Sequence, residues 1–316
     1  MHPVIETLLE LVAADPLPAS HTSSHWQRYG TETRVACRGD ELILRPAGFN
    51  TVAHPRLGGR ILSACERISY APVTAGLRSF STVWSVAKRL AAQLGGGPDF
   101  HVLKHACACS VLMDHWQRHR LSPTRIALIG DGDGFLGALL AHWRPDAVLY
   151  CIDLPKTLVF QADTHVRLHP HRKATVLSGS LPDATAETVF VHPDELETIP
   201  GEIDCAVNIA SMQEMTTAQI ARYFTFLRRR SGPDAHFYCV NRLQKELPGG
   251  EVTVFDEYPW HPRDEVFLHG RCPYYTHFLS SETRRHGPRV FGVRIPWINF
   301  FDGVTLHRLV RLARVA

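Results

Sequence analysis

The chain has 316 residues, 45% of them hydrophobic and 21% charged, with a formal net charge of +3 and no long run of either sign. That balance is ordinary for a globular protein and singles out neither a nucleic-acid nor a membrane-surface partner. No uninterrupted apolar stretch approaches the ~20 residues that span a bilayer. The start, MHPVIETLLELVAAD, carries Glu6 and Glu10 inside its apolar pattern, unlike a secretion leader, so a cytoplasmic protein is expected.

Ile5, Leu8, Leu9 and Val12 recur at helical spacing, and so do Val83, Ala87, Leu90, Ala91 and Leu94, with Ser81 as N-cap and Gly95 to Gly97 as the stop. Between these stretches a short strand is expected at Glu41 to Leu44. A further helix is expected from about Val102 to His119. On it, His101 and His105, and again His115 and His119, sit four apart and read as partly exposed helix residues. Residues 1–122 thus form a mostly helical N-terminal region, suited to covering an acceptor or to joining copies into a homo-oligomer.

From Thr124 onward apolar runs alternate with helical patterns, the sign of a parallel sheet flanked by helices. Strands are expected at Arg125 to Ile129, Val148 to Ile152, Thr188 to Val191, Ile203 to Ile209 and His236 to Val240. Before the last of them, TTAQIARYFTFLRRR sets Ile220, Phe224 and Leu227 on one helix face behind a capping box of Thr216 and Gln219. Two extended runs, Arg289 to Ile295 and Thr305 to Val315, are joined by a loop containing Asp302-Gly303 and read as an antiparallel pair. The expected fold for residues 123–316 is therefore α/β: a Rossmann-like, seven-stranded, mostly parallel sheet with an antiparallel C-terminal pair. Of the eight cysteines, Cys151, Cys205 and Cys239 lie in strands, where they act as small reduced hydrophobes. Only Cys107 and Cys109 are close together, with no second pair to complete a zinc site, so no metal is expected.

The chemistry concentrates at IALIGDGDGFLG, Ile126 to Gly137. Glycines after a strand let the backbone turn sharply and approach a ligand closely. Gly130, Gly132 and Gly134 give the spacing of S-adenosylmethionine enzymes, whereas Gly132, Gly134 and Gly137 give that of dinucleotide enzymes. Asp153 ends the second strand, where a carboxylate accepts hydrogen bonds from ribose hydroxyls of either cofactor. Asp131 and Asp133 lie inside the turn, where they repel a pyrophosphate but tolerate a sulfonium amino acid. S-Adenosylmethionine is thus the favoured cofactor, held by Gly130, Asp131, Gly132, Gly134, Asp153 and Leu154. A NAD(P)-dependent oxidoreductase and a catalytically silent Rossmann-like binding protein are the alternatives.

Four blocks in order carry a resemblance: the glycine loop, Asp153-Leu154-Pro155, Ser211 to Met215, and the stretch FYCVNRLQKELPGGEVTVFDEYPW from Phe237 to Trp260. Together they resemble the sugar O-methyltransferase family, S-adenosylmethionine enzymes of the Rossmann-like class. The resemblance covers roughly Thr124 to Tyr275, and Leu128 departs from it, since an acid is usual two positions before the first glycine. It implies a small-molecule acceptor, a sugar or glycoside hydroxyl. Ligands of such sheets bind at the carboxyl ends of the strands, which puts Asn208, Gln213 and Glu214 beside the reaction, Asn208 toward the cofactor and Gln213 toward the acceptor. Glu214 is the leading candidate for general base, with Glu257 and His277 as alternatives. Asn241, Arg242, Tyr258 and Trp260 are candidate acceptor-binding residues, the aromatic pair suited to the C–H face of a sugar.

Overall fold

The amphipathic stretches form helices and the short apolar runs form strands, because each buries its hydrophobic side at its own period. The computed structural model describes residues 1–14, 22–39, 41–52, 68, 70–177, 185–275, 289–294 and 304–314. The chain divides into two units, one of residues 1–51, 123–270 and 306–316, the other of residues 52–122 and 271–305. The first 51 residues thus group with the sheet, whereas the sequence pattern pointed to a division after residue 122. Packing explains the grouping: Val4, Ile5 and Leu8 of helix Pro3–Ala14 are buried, and that helix lies against helix Pro155–Leu168. Helix Ser24–Glu32 and an antiparallel hairpin, β1 (Arg34–Arg38) with β2 (Glu41–Arg45), complete this N-terminal segment.

The sheet is built from β3 (Arg125–Ile129), β4 (Val148–Ile152), β5 (Ala174–Leu177), β6 (Thr188–Val191), β7 (Ile203–Ile209) and β8 (Ser231–Arg242). After a small hairpin, β9 (Gln244–Glu246) with β10 (Val252–Val254), come β11 (Glu265–Arg271), the short pair β12 (Arg289–Val290) and β13 (Val293–Arg294), and β14 (Thr305–Arg311). The sheet order is β11-β14-β8-β7-β3-β4-β6-β5. The six strands from β8 to β5 run parallel, and β11 and β14 add the antiparallel C-terminal pair of a Rossmann-like fold.

Eight strands stand where seven were expected, and two of the eight carry weak sequence signals. β5 is a short edge strand, and β11 is exposed or half-buried at every position, so neither shows the apolar run of a covered strand. The partner of β14 is accordingly β11 and not the stretch from Arg289, which folds on itself as β12 and β13. Ile295 and the Asp302-Gly303 loop lie outside the described residues.

Strand register positions the site. Ile129 pairs with Ile152 on one side and with Asn208 on the other, and Ile152 pairs with Val191. The carboxyl ends of β3, β4, β6 and β7 therefore finish level. From β3 the chain builds outward through β4, then returns to β7 on the opposite side, so the switch point where such sheets bind ligands lies between β3 and β7. Helix Thr217–Arg230 follows β7 behind the expected capping box: the Gln219 amide donates to Thr216 Oγ1 at 3.3 Å and the Thr216 amide to Gln219 Oε1 at 2.7 Å.

In the second unit, helices Phe80–Gln93 and Phe100–His119 pack together. The first is capped at Ser79 and not at Ser81, because the Asp114 carboxylate accepts from the Arg78 and Ser79 amides and from the Ser79 hydroxyl, at 2.7, 2.9 and 2.6 Å. The second starts at Asp99, whose side chain accepts from the Val102 amide at 2.9 Å. His101, His105 and His115 are buried on it rather than partly exposed, with the His101 and His105 rings 4.5 Å apart. The Cys107, Cys109, Cys151, Cys205 and Cys239 thiols are free and buried. No described helix is long and apolar enough to cross a membrane.

Candidate functional site

A pocket opens at the switch point, where the carboxyl ends of the strands finish level. Its floor is Gly130 from the end of β3 and Ile152, Asp153 and Leu154 from the end of β4. Pro193 and Leu196, after β6, form an apolar side. Ser211 and Met215, after β7, form the opposite one, and Gln219, Arg222 and Tyr223 reach in from helix Thr217–Arg230. Trp26 of helix Ser24–Glu32 closes the remaining wall.

Each loop glycine has positive φ: +72° at Gly130, +61° at Gly132 and +81° at Gly134. Their surroundings differ. A Cβ at Gly130 would run into the Ser211 side chain, and one at Gly134 would lie 2.8 Å from the Cα of Gln161, whereas one at Gly132 would meet Phe49 at an ordinary 3.5 Å. Gly134→Ala is therefore expected to lower stability by more than the ~1–2 kcal/mol of the left-handed backbone alone. Gly132→Ala is expected to stay within that range. Melting curves of the two variants check the difference.

Asp153 is the buried acid of the pocket, 9% exposed. Oδ1 accepts from the Leu154 amide and Oδ2 from Gln161 Nε2, both at 2.8 Å. Burial pushes its carboxyl up to about 7, against the downward pull of the Leu154 and Gly132 amides and the Gln161 side chain. Each oxygen keeps a lone pair for a ligand, so the group is oriented and still available. With Gly130 and Leu154 beside it, the floor fits a ribose and its neighbouring groups.

Four expected cofactor ligands, Asp131, Gly132, Gly134 and Asn208, do not line this pocket. Asp131 turns back, and its Oδ2 accepts from the Gly137 amide at 2.7 Å while Oδ1 is buried without a partner. The N-terminal amides of helix Phe135–Trp143 draw the carboxylate inward. Burial, opposed by the Gly137 amide, raises its pKa well above the usual carboxylate range. The Asp133 carboxylate also turns to the start of this helix, accepting from the Phe135 amide at 3.2 Å. Asn208, 1% exposed, instead ties three strand ends: its Nδ2 donates to the Ile129 carbonyl and its Oδ1 accepts from Asn241 Nδ2, both at 2.8 Å.

The acceptor-side candidates also divide. Gln213 and Asn241 are buried clips: the Gln213 amide donates to Asn241 Oδ1 at 3.0 Å, and Gln213 Oε1 accepts from the Arg242 amide at 2.8 Å. The indole of Trp260 donates to the Phe255 carbonyl at 2.8 Å, and Tyr258, 5% exposed, packs with Phe224, Phe255 and Trp260, so both aromatics anchor the core rather than forming a lid. Glu257 is exposed on a short 3₁₀ turn, and His277 lies outside the described residues. Glu214 is buried in a charged cluster, 2.7 Å from Lys245 Nζ and 3.3 Å from His25 Nε2. Burial raises its pKa, but His25 and Lys245 outweigh that and hold the carboxyl below its usual range.

Sequence reasoning missed the walls contributed by Trp26, Ser211 and helix Thr217–Arg230. One signal was present: Gln219, Arg222 and Tyr223 share a helix face distinct from the core face of Ile220, Phe224 and Leu227. A second is conformational and invisible in sequence, the positive φ of +59° at Ala210, where the chain leaves β7 toward Ser211.

No protein-family model and no curated protein matches the chain. Among solved structures it is similar to TehB from Haemophilus influenzae, at 12% identity and a TM-score of 0.41, over 64% of this chain and 61% of that one. It is similar to the N-methyltransferase NodS from Bradyrhizobium japonicum, solved with S-adenosyl-L-homocysteine, at 11% identity and a TM-score of 0.39, over 67% and 87% of the two chains. It is also similar to CalS10, an amino pentose methyltransferase from Micromonospora echinaspora, at 14% identity and a TM-score of 0.31, over 42% and 48%. The chain thus spans about 61% of the length of TehB. All three likenesses are distant; what makes the sheet Rossmann-like is its own strand order and register.

Proposed function

We propose that the chain is an S-adenosylmethionine-dependent methyltransferase acting on a hydroxyl of a sugar or glycosylated small molecule. The observation that carries the cofactor choice is at the loop. A dinucleotide places its pyrophosphate on the N-terminal amides of the helix after the glycine turn. Here Asp131 and Asp133 already occupy the Gly137 and Phe135 amides, so the anion site is filled by the chain's own carboxyls. A sulfonium amino acid needs no such site, and the nicotinamide alternative is disfavoured.

When bound, the cofactor supplies a methyl group activated by its sulfonium. Asp153 accepts the ribose hydroxyls, and Gly130 and Leu154 shape the floor beneath them. Ser211 and Met215 border the side toward β7 and the acceptor. Glu214, held by Lys245 and His25, is a fixed anion of that side rather than the group that takes the proton, because a carboxyl held below its usual range is a weak base. The sugar acceptor is supported by the family resemblance of the four sequence blocks.

Melting with each cofactor tests the assignment, since a ligand at 100 times its Kd stabilises the native state by about 2.7 kcal/mol. Stabilisation by S-adenosylmethionine or S-adenosylhomocysteine is expected, followed by a mass gain of one methylene on a member of a nucleotide-sugar and glycoside panel. Stabilisation by NAD(H) alone would overturn the proposal.

A further inference from the structure

Helix Ser24–Glu32 has the polar sequence SHWQRYGTE, and nothing in it marks a binding element. Its attachments do. Lys156, three residues beyond Asp153, donates to the Gly30 and Thr33 carbonyls at 2.7 and 3.1 Å, placing a cation at the helix C-terminus. At the other end the Ser24 hydroxyl donates to Glu251 Oε2 at 2.6 Å, the Ser23 hydroxyl donates to the Glu214 carbonyl, and His25 pairs with the Glu214 carboxylate. Phe49 packs 6.2 Å from Trp26 and 5.0 Å from Phe160, ring centre to ring centre, and lies beside Gly132. The half-buried Trp26 indole is thereby fixed as a wall of the pocket rather than as a mobile surface ring.

Its neighbours locate it along the pocket. Phe49 ties it to the glycine loop, and the Glu214 contacts tie it to Met215, so the indole lies between the glycine loop and the segment after β7. A cofactor with its ribose at Asp153 would have that stretch of the pocket for its sulfur. Asp153 is the sole carboxylate among the described residues lining the pocket, and Asp131 is turned away. A sulfonium there has no carboxylate of its own, while the face of an indole is the most strongly cation-attracting aromatic surface. We propose that Trp26 binds the sulfonium cation of the cofactor through its indole face and sets the preference for the charged cofactor over the neutral thioether product. The inference rests on the methyltransferase function proposed above.

Calorimetric titration of the wild type, Trp26→Leu and Trp26→Phe with S-adenosylmethionine, S-adenosylhomocysteine and NAD(H) tests it, with circular dichroism as the folding control. Trp26→Leu is expected to weaken S-adenosylmethionine binding roughly ten- to thirtyfold, in line with a desolvated cation–π contact. Binding of S-adenosylhomocysteine is expected to weaken by no more than about threefold, the residue of lost packing. If the leucine variant does not fold, Trp26→Phe carries the test, with a smaller loss confined to the charged ligand. Equal losses for both ligands, or no loss for either, would overturn the sulfonium role while leaving the methyltransferase function intact. A wild type that binds neither sulfur ligand, or only NAD(H), overturns that function and the inference with it.

Discussion

Asp153→Ala is expected to weaken cofactor binding at least about 100-fold, because two hydrogen bonds to a charged acceptor, each worth roughly 1.5–3 kcal/mol, disappear. Stability should fall as well. Gln161 is 0% exposed, and its Oε1 already lacks a partner, so losing the Asp153 acceptor also orphans its Nε2 at a cost of about 1–3 kcal/mol. The carboxyl adds a pH signature with two opposite signs. Its pKa is raised to about 7 in the folded chain by burial, so the native state holds a proton that the unfolded chain releases from about pH 4 upward. This contribution to stability is complete below about pH 4 and is lost as pH rises through about 7. Cofactor affinity should move the other way and tighten as pH rises through about 7, since the ionised carboxylate is the stronger acceptor of ribose hydroxyls. Asp153→Asn should flatten both trends. Calorimetry and melting curves across this range check them, and a pH-independent wild-type affinity would remove Asp153 from the ribose site.

The place of Asp153 at a strand end was legible because strand ends are local. An apolar run ending in an acid places that acid at the carboxyl edge whatever the rest of the chain does, and the level register of β3 and β4 then brings it beside Gly130. The direction of the Asp131 side chain was not legible, for a complementary reason. Its type and spacing are in the sequence, but its direction is set by competition between the pocket and the amides of helix Phe135–Trp143, which only the folded loop decides. Trp26 carried no signal at all. Its place depends on Lys156 and Glu214, more than a hundred residues away, and a polar helix with one indole looks like surface. The packing of Tyr258 and Trp260 was not legible either, because an aromatic after a strand packs inward as readily as outward, and here Phe224 and Phe255 offer a core.

Glu214 separates a structural role from a catalytic one. Were it merely favourable charge in the first turn of a helix, its removal would cost no more than about 1 kcal/mol. Instead its carboxylate is buried between Lys245 and His25, with both Glu214 and Lys245 side chains 13% exposed. Glu214→Ala leaves a buried ammonium without its partner, and breaking such a pair typically costs about 3–5 kcal/mol. Removing both charges together, in Glu214→Ala with Lys245→Met, leaves no unpartnered ammonium and should recover a large part of that loss, a coupling that a double-mutant cycle on melting free energies measures directly. The kinetic outcome follows from the same geometry. A carboxylate held by the Lys245 ammonium and by a hydrogen bond from His25 is a weak proton acceptor, so Glu214→Gln, once folded, should change kcat far less than the roughly 10²–10⁴-fold of a lost general base. Its cofactor affinity should stay near that of the wild type, because Glu214 is not among the groups lining the pocket floor. A glutamine variant of full stability with kcat reduced by that larger factor would return the proton-accepting role to Glu214 and overturn its assignment as a fixed anion.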